Sequence, residues 1–153
     1  MIKLKTLITC IAIPLIFGVI SRFLGDASTF ELINKPNFAP PEIVFPIVWS
    51  ILYILMGISS YIIYTSDVNY NAKKQALTIY GIQLILNTVW TLFFFNFKWY
   101  LFSFWWIILI ILFVILMIYN FNRIKPIAAY LQIPYLLWLI FASILTYNIY
   151  LLN

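Results

Sequence analysis

Charged residues divide this chain into long apolar blocks. The uncharged runs that follow Lys5, Glu42, Lys74, Lys98 and Lys125 are between 16 and 28 residues long. A helix needs roughly 20 predominantly apolar residues to span a bilayer. The pattern therefore predicts five spanning helices, near residues 4–24, 43–65, 75–96, 99–121 and 127–151. Short connections after the second, third and fourth helices make neighbours antiparallel, which predicts a compact bundle.

The composition leads to the same conclusion. Hydrophobic residues make up 65% of the 153 residues, charged residues 8%, and the mean hydropathy is +1.05. Soluble chains carry about 25% charged residues, so a soluble domain is excluded. We therefore predict an all-α membrane protein, a five-helix transmembrane bundle that forms one domain over residues 1–153. The first apolar run exceeds the length of a signal peptide and has no small-residue cleavage site, so it is expected to be a retained helix.

The basic residues predict how the protein lies in the membrane. Six of them flank one side of the bundle (Lys3, Lys5, Lys73, Lys74, Arg123 and Lys125) and three flank the other (Arg22, Lys35 and Lys98). The expected location is the cell membrane. The positive-inside rule places the N-terminus in the cytoplasm and the 25–41 loop and the C-terminus outside the cell. The basic residues are scattered through short loops, so the net charge of +5 does not indicate nucleic-acid binding.

The missing residue types narrow the chemistry. There is no histidine, which removes histidine-ligated zinc, histidine-ligated haem and histidine acid–base catalysis. No cofactor and no metal are expected. The spans carry no ionisable side chain near their centres, and proton- or ion-coupled transporters usually keep one there. An apolar cavity lined by aromatic residues and a few amides suits a flat hydrophobic ligand.

A proline-rich segment precedes the second helix. Pro36, Pro40 and Pro41 fix their own φ angles and bias the residues before them toward extended backbone. Lys35-Pro36 and Ala39-Pro40-Pro41 are therefore expected to form a rigid, non-helical strap, and the 25–41 loop that contains them is expected to gate one end of the bundle. Glu42 is expected in the first turn of the second helix, where the helix dipole favours an anion. A simple connector between two spans is the alternative interpretation.

Polar and aromatic residues recur at helical spacing in three of the predicted helices. The second helix places Trp49, Tyr53, Met56 and Ser60 on one stripe. The third places Gln83, Asn87, Trp90, Thr91 and Phe94 together, and the fifth aligns Pro134, Trp138, Ala142 and Thr146 beside Tyr135. Buried amides such as Gln83, Asn87 and Gln132 should face the bundle interior, either to bind a ligand or to hydrogen-bond another helix. Pro134 is expected to kink its helix beside Trp138.

Three segments resemble the signatures of the TspO/MBR translocator protein family. They are KPNFAPPEIVFPIVWSILYILMG (Lys35 to Gly57), LNTVWTLFFF (Leu86 to Phe95) and IPYLLWLIFA (Ile133 to Ala142). The resemblance implies a five-helix bundle, usually a homodimer, that binds porphyrins such as protoporphyrin IX below its first loop. It also implies that some bacterial members degrade porphyrin in light with the help of cavity tryptophans.

The spacing and the resemblance together select the candidate site. Trp49 and Trp138 are the candidate catalytic residues, for photo-oxidation of a bound porphyrin. The candidate ligand-binding residues are Phe30, Pro40, Pro41, Trp49, Tyr53, Gln83, Asn87, Trp90, Phe94, Tyr135, Trp138, Ala142 and Thr146. Phe38 stands where the family usually has tryptophan, Phe30 where tryptophan or tyrosine is common, and Thr146 where asparagine is frequent. No basic residue follows Lys125, so the family's proposed C-terminal sterol motif is incomplete.

The predicted function is therefore a membrane protein that binds porphyrins, with light-dependent degradation as an added activity. The alternatives are a transporter of porphyrin or another apolar molecule, and a regulatory or structural membrane subunit. The expected partners are a hydrophobic small molecule, the lipid bilayer and a second copy of the chain, with no nucleic acid. Gly81 and Thr88 on the third helix are a candidate dimer contact.

Overall fold

A computed structural model describes residues 3–153, which form six helices joined by turns and short loops. The helices are α1 (Leu4–Leu24), α2 (Val44–Tyr64), α3 (Tyr70–Thr91), α4 (Tyr100–Ile124), α5 (Pro126–Tyr130) and α6 (Ile133–Leu152). A 3₁₀ segment, Ala27–Leu32, lies in the loop after α1, and α3 continues as a π-helix over Leu92–Asn96. Met1 and Ile2 lie outside the described residues.

The predicted all-α membrane fold is confirmed, because five helical stretches within residues 3–153 are long and apolar enough to span a bilayer. The third helix begins at Tyr70 rather than near residue 75. It starts earlier because the Asn69 side chain accepts a hydrogen bond from the amide of Ala72, at 2.8 Å, and so caps the helix. The first turns of α3 contain polar residues, so the length of the apolar run did not predict them as part of the helix.

The last spanning stretch, Pro126–Leu152, is interrupted rather than gently kinked. The chain leaves the helix at Leu131 and Gln132, and Pro134 lies in the first turn of α6. Proline has no amide hydrogen and is tolerated at such a position, whereas inside a helix it breaks the ladder. The prediction of one kinked helix near residues 127–151 is therefore corrected to two helices, α5 and α6, with a break before Pro134.

The helices form a bundle in which α1 contacts α2 and α3, α3 contacts α4, and α4 contacts α5 and α6. Gly57 allows α2 to approach α1 closely, since a methyl group added there would collide with the Cα atom of Ile11. By contrast, few close backbone approaches join α2 to α6. Side chains fill the space between these two helices, and that space is where the candidate site lies.

The loop between α1 and α2 lies at one end of the bundle, which we call the loop end. Its residues 33–43 are non-helical, as the prolines predict. The Lys35 ammonium donates to the carbonyl of Phe30 at 2.9 Å and lies 3.7 Å from the Glu42 carboxylate. Asn34 and Asn153 exchange hydrogen bonds of 3.0 and 2.9 Å, which fasten the loop to the end of α6.

One prediction about this loop is wrong. Glu42 lies in a turn before Ile43, the residue that caps α2, and not in the first turn of the helix. The hydrogen bonds from Val44 and Phe45 to Pro41 and Glu42 tighten the chain there, and the carboxylate lies near Lys35. An ion pair within the loop has replaced the expected interaction with the helix dipole.

Candidate ligand-binding site

Aromatic rings bridge the gap between α2 and α6. The rings of Trp49 and Tyr53 stack with centroids 5.4 Å apart, and Trp49 meets Tyr135 edge-on at 6.1 Å. Nearer the loop end, Phe45 meets Trp138 at 5.9 Å. We call these five residues the aromatic seam. The two helices meet through ring contacts rather than close backbone packing, so this contact is the part of the bundle most suited to separating around a ligand.

Two amides of α3 face the aromatic seam. The Asn87 side-chain nitrogen donates to the Tyr53 hydroxyl at 3.2 Å, and the Tyr135 hydroxyl donates to the Gln83 side-chain oxygen at 2.8 Å. Gln83 is fully buried, and Asn87 nearly so. These bonds join α3 to both sides of the seam. The sequence prediction that Gln83 and Asn87 point into the bundle is therefore matched by their positions.

Several polar atoms around the aromatic seam have no hydrogen-bond partner among the described residues. They are the indole nitrogen of Trp138, the side-chain nitrogen of Gln83, and both amide atoms of Gln132. An unpaired polar group in an apolar environment costs roughly 2–7 kcal/mol, depending on the reference state. A ligand that supplies the missing partners would recover part of that cost.

The loop end of the aromatic seam is covered by a second cluster of apolar residues. The Phe30 ring meets Phe45 at 5.2 Å and packs with Phe94, Leu145 and Ile149. Of the two candidate prolines of the loop, Pro40 is half-buried and Pro41 is exposed. Phe30 is therefore the loop residue that closes the seam.

Trp90 lies at the edge of the site with a different set of contacts. Its ring stacks on Phe94 with centroids 4.8 Å apart, and its indole nitrogen donates to the carbonyl of Ser103 at 3.1 Å. The Thr91 hydroxyl donates to the carbonyl of Ser21, so Thr91 faces α1 and not the seam. Thr91 follows Asn87 by four residues on α3, as the spacing predicts, but its partner on α1 is not given by that spacing.

The two remaining candidates lie on α6 beyond Trp138. Thr146 is buried, and Ala142 is half-buried against the main core. Sequence reasoning left Phe45 and Gln132 out of the candidate site. Phe45 precedes Trp49 by four residues, which is the spacing that places two side chains on one helical face. Gln132 precedes Tyr135 by three, and the same rule could have found it.

The seam is filled by its own rings in this structure, so those rings must rotate for a ligand to enter. An open groove of about 770 Å³ lies elsewhere, on the surface beside the first turns of α4. Lys98, Trp99, Trp105 and Tyr150 are among the residues that line it. This surface groove does not include any of the predicted site residues.

Comparison with known proteins gives a consistent result. The TspO/MBR family model matches residues 10–152. The chain is 32% identical to the tryptophan-rich protein TspO of Chlorobaculum tepidum, over 99% of this chain and 98% of that one. It is 38% identical to the tryptophan-rich protein TspO of Archaeoglobus fulgidus, over 79% and 77% of the two chains. It is 30% identical to the translocator protein of Ovis aries, over 79% and 72%.

The family match covers most of the first spanning stretch, the four later stretches found within residues 3–153, and the loop that covers the aromatic seam. The segments that resemble the family signatures supply Trp49, Asn87 and Trp138 to the site described above. The resemblance stated from the sequence is confirmed: the chain is a multi-pass membrane protein that belongs to the TspO/MBR family.

Proposed function

We propose that this protein binds a porphyrin, with protoporphyrin IX as the reference ligand, between α2 and α6 in the aromatic seam. The observation that supports the proposal most directly is the Trp138 indole nitrogen, which has no partner among the described residues although it is buried among rings. Trp49 and Tyr135 complete an aromatic surface on which a flat macrocycle can stack. Asn87 and Gln83 add hydrogen-bonding groups at its edge.

The charges of the site set the orientation of such a ligand. None of the five aromatic-seam residues is ionisable at neutral pH, and burying an unpaired carboxylate is costly. The two propionates of protoporphyrin IX would therefore stay at the loop end, where the Lys35 ammonium lies. The apolar face of the macrocycle would replace the ring-to-ring contacts between α2 and α6. Phe30 would move aside first, because it closes that end.

The test is a titration of purified protein with protoporphyrin IX, followed through the porphyrin Soret absorbance so that changes in tryptophan content do not interfere. We expect saturable binding with one porphyrin per chain. Trp49→Phe and Trp138→Phe should each weaken it, since each removes ring area and, in the second case, a hydrogen-bond donor. A linear, non-saturating response like that of empty detergent micelles would contradict the proposal.

A second candidate activity is light-dependent oxidation of the bound porphyrin by dioxygen. The observation that favours it is the contact of Trp49 with both Tyr53 and Tyr135, since indole and phenol rings are readily oxidised and this group adjoins the proposed ligand. We expect loss of porphyrin in light and air at a rate that falls in Trp49→Phe. Equal loss in the variant, or equal loss in the dark, would leave binding as the only activity.

We also propose a membrane orientation, with transport of the porphyrin as an alternative function. Uptake of porphyrin into sealed vesicles would distinguish a transporter from a binding protein. The excess of Lys and Arg at the end opposite the loop supports a loop that lies outside the cell. Labelling of a cysteine placed at Asn37 by an impermeant thiol reagent on intact cells tests this orientation, and protection of that cysteine would contradict it.

A homodimer is also proposed, with a different contact from the one that the sequence suggested. A methyl group added at Gly81 would meet nothing within 4 Å, and Ile82 and Ile85 are exposed beside it. Thr88, however, is buried and bonds the carbonyl of Leu84, so it cannot share that surface. Cross-linking through a cysteine at Ile85 tests whether this face of α3 meets a second copy.

A further inference from the structure

Gln132 is an inward-facing amide whose side chain has no hydrogen-bond partner among residues 3–153. It is fully buried at the break between α5 and α6, and neither its side-chain nitrogen nor its side-chain oxygen meets a partner in residues 3–153. A primary amide carries two donor hydrogens and an acceptor oxygen. Leaving all of them unpaired within a membrane bundle is expensive, and a leucine would fit an apolar interior without that cost.

The backbone places Gln132 next to the proposed site. Its φ and ψ angles are helical, and its carbonyl accepts the amide of Leu136, so the α6 ladder starts here. In a helical chain, residues three apart lie on one face, with about 5–6 Å between their Cβ atoms. Gln132 therefore neighbours Tyr135, whose hydroxyl bonds the Gln83 oxygen. The unpaired nitrogen of Gln83 belongs to the same group.

We propose that Gln132 and Gln83 form a neutral hydrogen-bonding floor for the ligand site, at the end of the aromatic seam farthest from the loop. The side-chain nitrogen of Gln132 donates hydrogen bonds and its side-chain oxygen accepts them. Together they can pair with a ligand group that carries an acceptor next to a donor. A lactam is such a group, and so is any cis-amide edge on a flat ring. A carboxylate does not fit, because it offers no donor and no cation lies among the floor residues.

This inference rests on the proposed function, since it assigns a chemical preference to the same site. It predicts that flat ligands with a lactam edge bind better than matched ligands without the lactam N–H. The probes are phenanthridin-6(5H)-one and its N-methyl derivative, which have the same ring system. Binding of each is measured directly by calorimetry on the purified full chain, without porphyrin present.

We expect the wild-type protein to prefer the lactam over the N-methyl compound by about tenfold, roughly the effect of one buried hydrogen bond. Gln132→Met keeps the side-chain length and removes the amide, and it should abolish the preference. The same substitution should raise the thermal midpoint of the ligand-free protein, because an unpaired buried amide is lost. The matched control is Gln75→Met, at an exposed position of α3, which should change neither quantity.

The inference is overturned if the wild type binds the two probes equally, or if Gln132→Met keeps the tenfold preference. Should Gln132→Met fail to fold, the side-chain amide resonances of wild-type Gln132 provide the second measurement. They should shift with the lactam and not with the N-methyl compound, and an unchanged resonance would also reject the floor. Saturable porphyrin binding without a lactam preference rejects the floor alone, and a lactam preference without porphyrin binding rejects the proposed porphyrin ligand alone.

Discussion

The close contacts of α1 with α2 and of α3 with α4 differ from the aromatic seam between α2 and α6. In the α3–α4 contact, the indole nitrogens of Trp90 and Trp106 donate to the carbonyls of Ser103 and Leu86, at 3.1 and 2.8 Å. In the seam, the indole nitrogen of Trp138 has no such partner within the described part of the chain.

This difference shows that tryptophans of one bundle serve different purposes. A donor that is already bonded to a neighbouring helix joins two elements and has little to offer a ligand. An unpaired indole nitrogen between packed aromatic rings, such as that of Trp138, remains available to donate a hydrogen bond to a ligand. Trp90 and Trp138 both lie in segments that resemble the family signatures, but they differ in this respect. The indole nitrogen of Trp90 is bonded to α4, whereas that of Trp138 is unpaired among the described residues. The following predictions test this comparison, in order of decreasing effect.

The largest effect is expected at the close contact of α1 with α2. Gly57→Ala brings a methyl group into collision with the Cα atom of Ile11, and backbone cannot move aside as a side chain can. Overpacking of this kind costs typically about 1–3 kcal/mol, and the thermal midpoint in detergent should fall accordingly. Gly81→Ala is the matched control, since its methyl group meets nothing within 4 Å.

Because glycine is unfavourable inside a helix by roughly 0.5–1 kcal/mol relative to alanine, the control should leave stability unchanged or raise it. Equal losses of stability in the two variants would mean that α1 and α2 are not in close contact at Gly57.

The next largest effect is the difference in stability loss between Trp90→Phe and Trp138→Phe. Trp90→Phe leaves the carbonyl of Ser103 without its donor and should lower the free energy of unfolding by about 1 kcal/mol beyond the loss of ring area. Trp138→Phe breaks no hydrogen bond within the described chain and should have a smaller effect on the ligand-free protein. Unfolding in denaturing detergent measures both. A larger loss in Trp138→Phe would contradict the distinction drawn between the two residues.

A smaller effect is expected where the loop covers the aromatic seam. Lys35→Met removes both the bond to the Phe30 carbonyl and the ion pair with Glu42. Glu42→Gln removes the ion pair and keeps the bond to Phe30, so it serves as the control. Exposed ion pairs contribute at most about 1 kcal/mol. Hydrogen exchange at residues 30–35 should therefore accelerate in Lys35→Met and change little in Glu42→Gln, whereas equal acceleration would assign the effect to the ion pair.

The smallest effect is a pH dependence at the start of this loop. The Asp26 carboxylate accepts hydrogen bonds from the hydroxyl and the amide of Ser28, which lower the pKa of Asp26 below its ordinary value of about 3.9. The ionised form is thus favoured in the folded state. Its contribution is fully present above the ordinary pKa and is lost as the pH falls through the lowered one. The amide resonance of Ser28 should follow that titration, and Asp26→Asn should remove it.

The spans could be predicted because bilayer thickness sets a length that apolar runs must meet. The stripe of Trp49 and Tyr53 could be predicted from helical spacing alone. Partners across helices could not, because spacing fixes a face of one helix but not its neighbour. The bonds of Thr91 to α1 and of Trp90 to α4 could not be predicted for this reason. The ion pair of Glu42 with Lys35 lies within the loop, where helical spacing does not apply. Gln132 was recognised as an inward-facing amide, but its lack of a partner is visible only in three dimensions.

The most direct test of the central claim is the ratio of protoporphyrin IX affinities in Trp138→Phe and Trp90→Phe, from Soret titrations of folded protein. If the ligand lies in the aromatic seam, Trp138→Phe should weaken binding about tenfold, the factor that corresponds to one lost hydrogen bond to the ligand. Trp90→Phe should bind within about twofold of the wild type, because its indole nitrogen serves α4. Unchanged affinity in Trp138→Phe with a large loss in Trp90→Phe would place the ligand outside the seam.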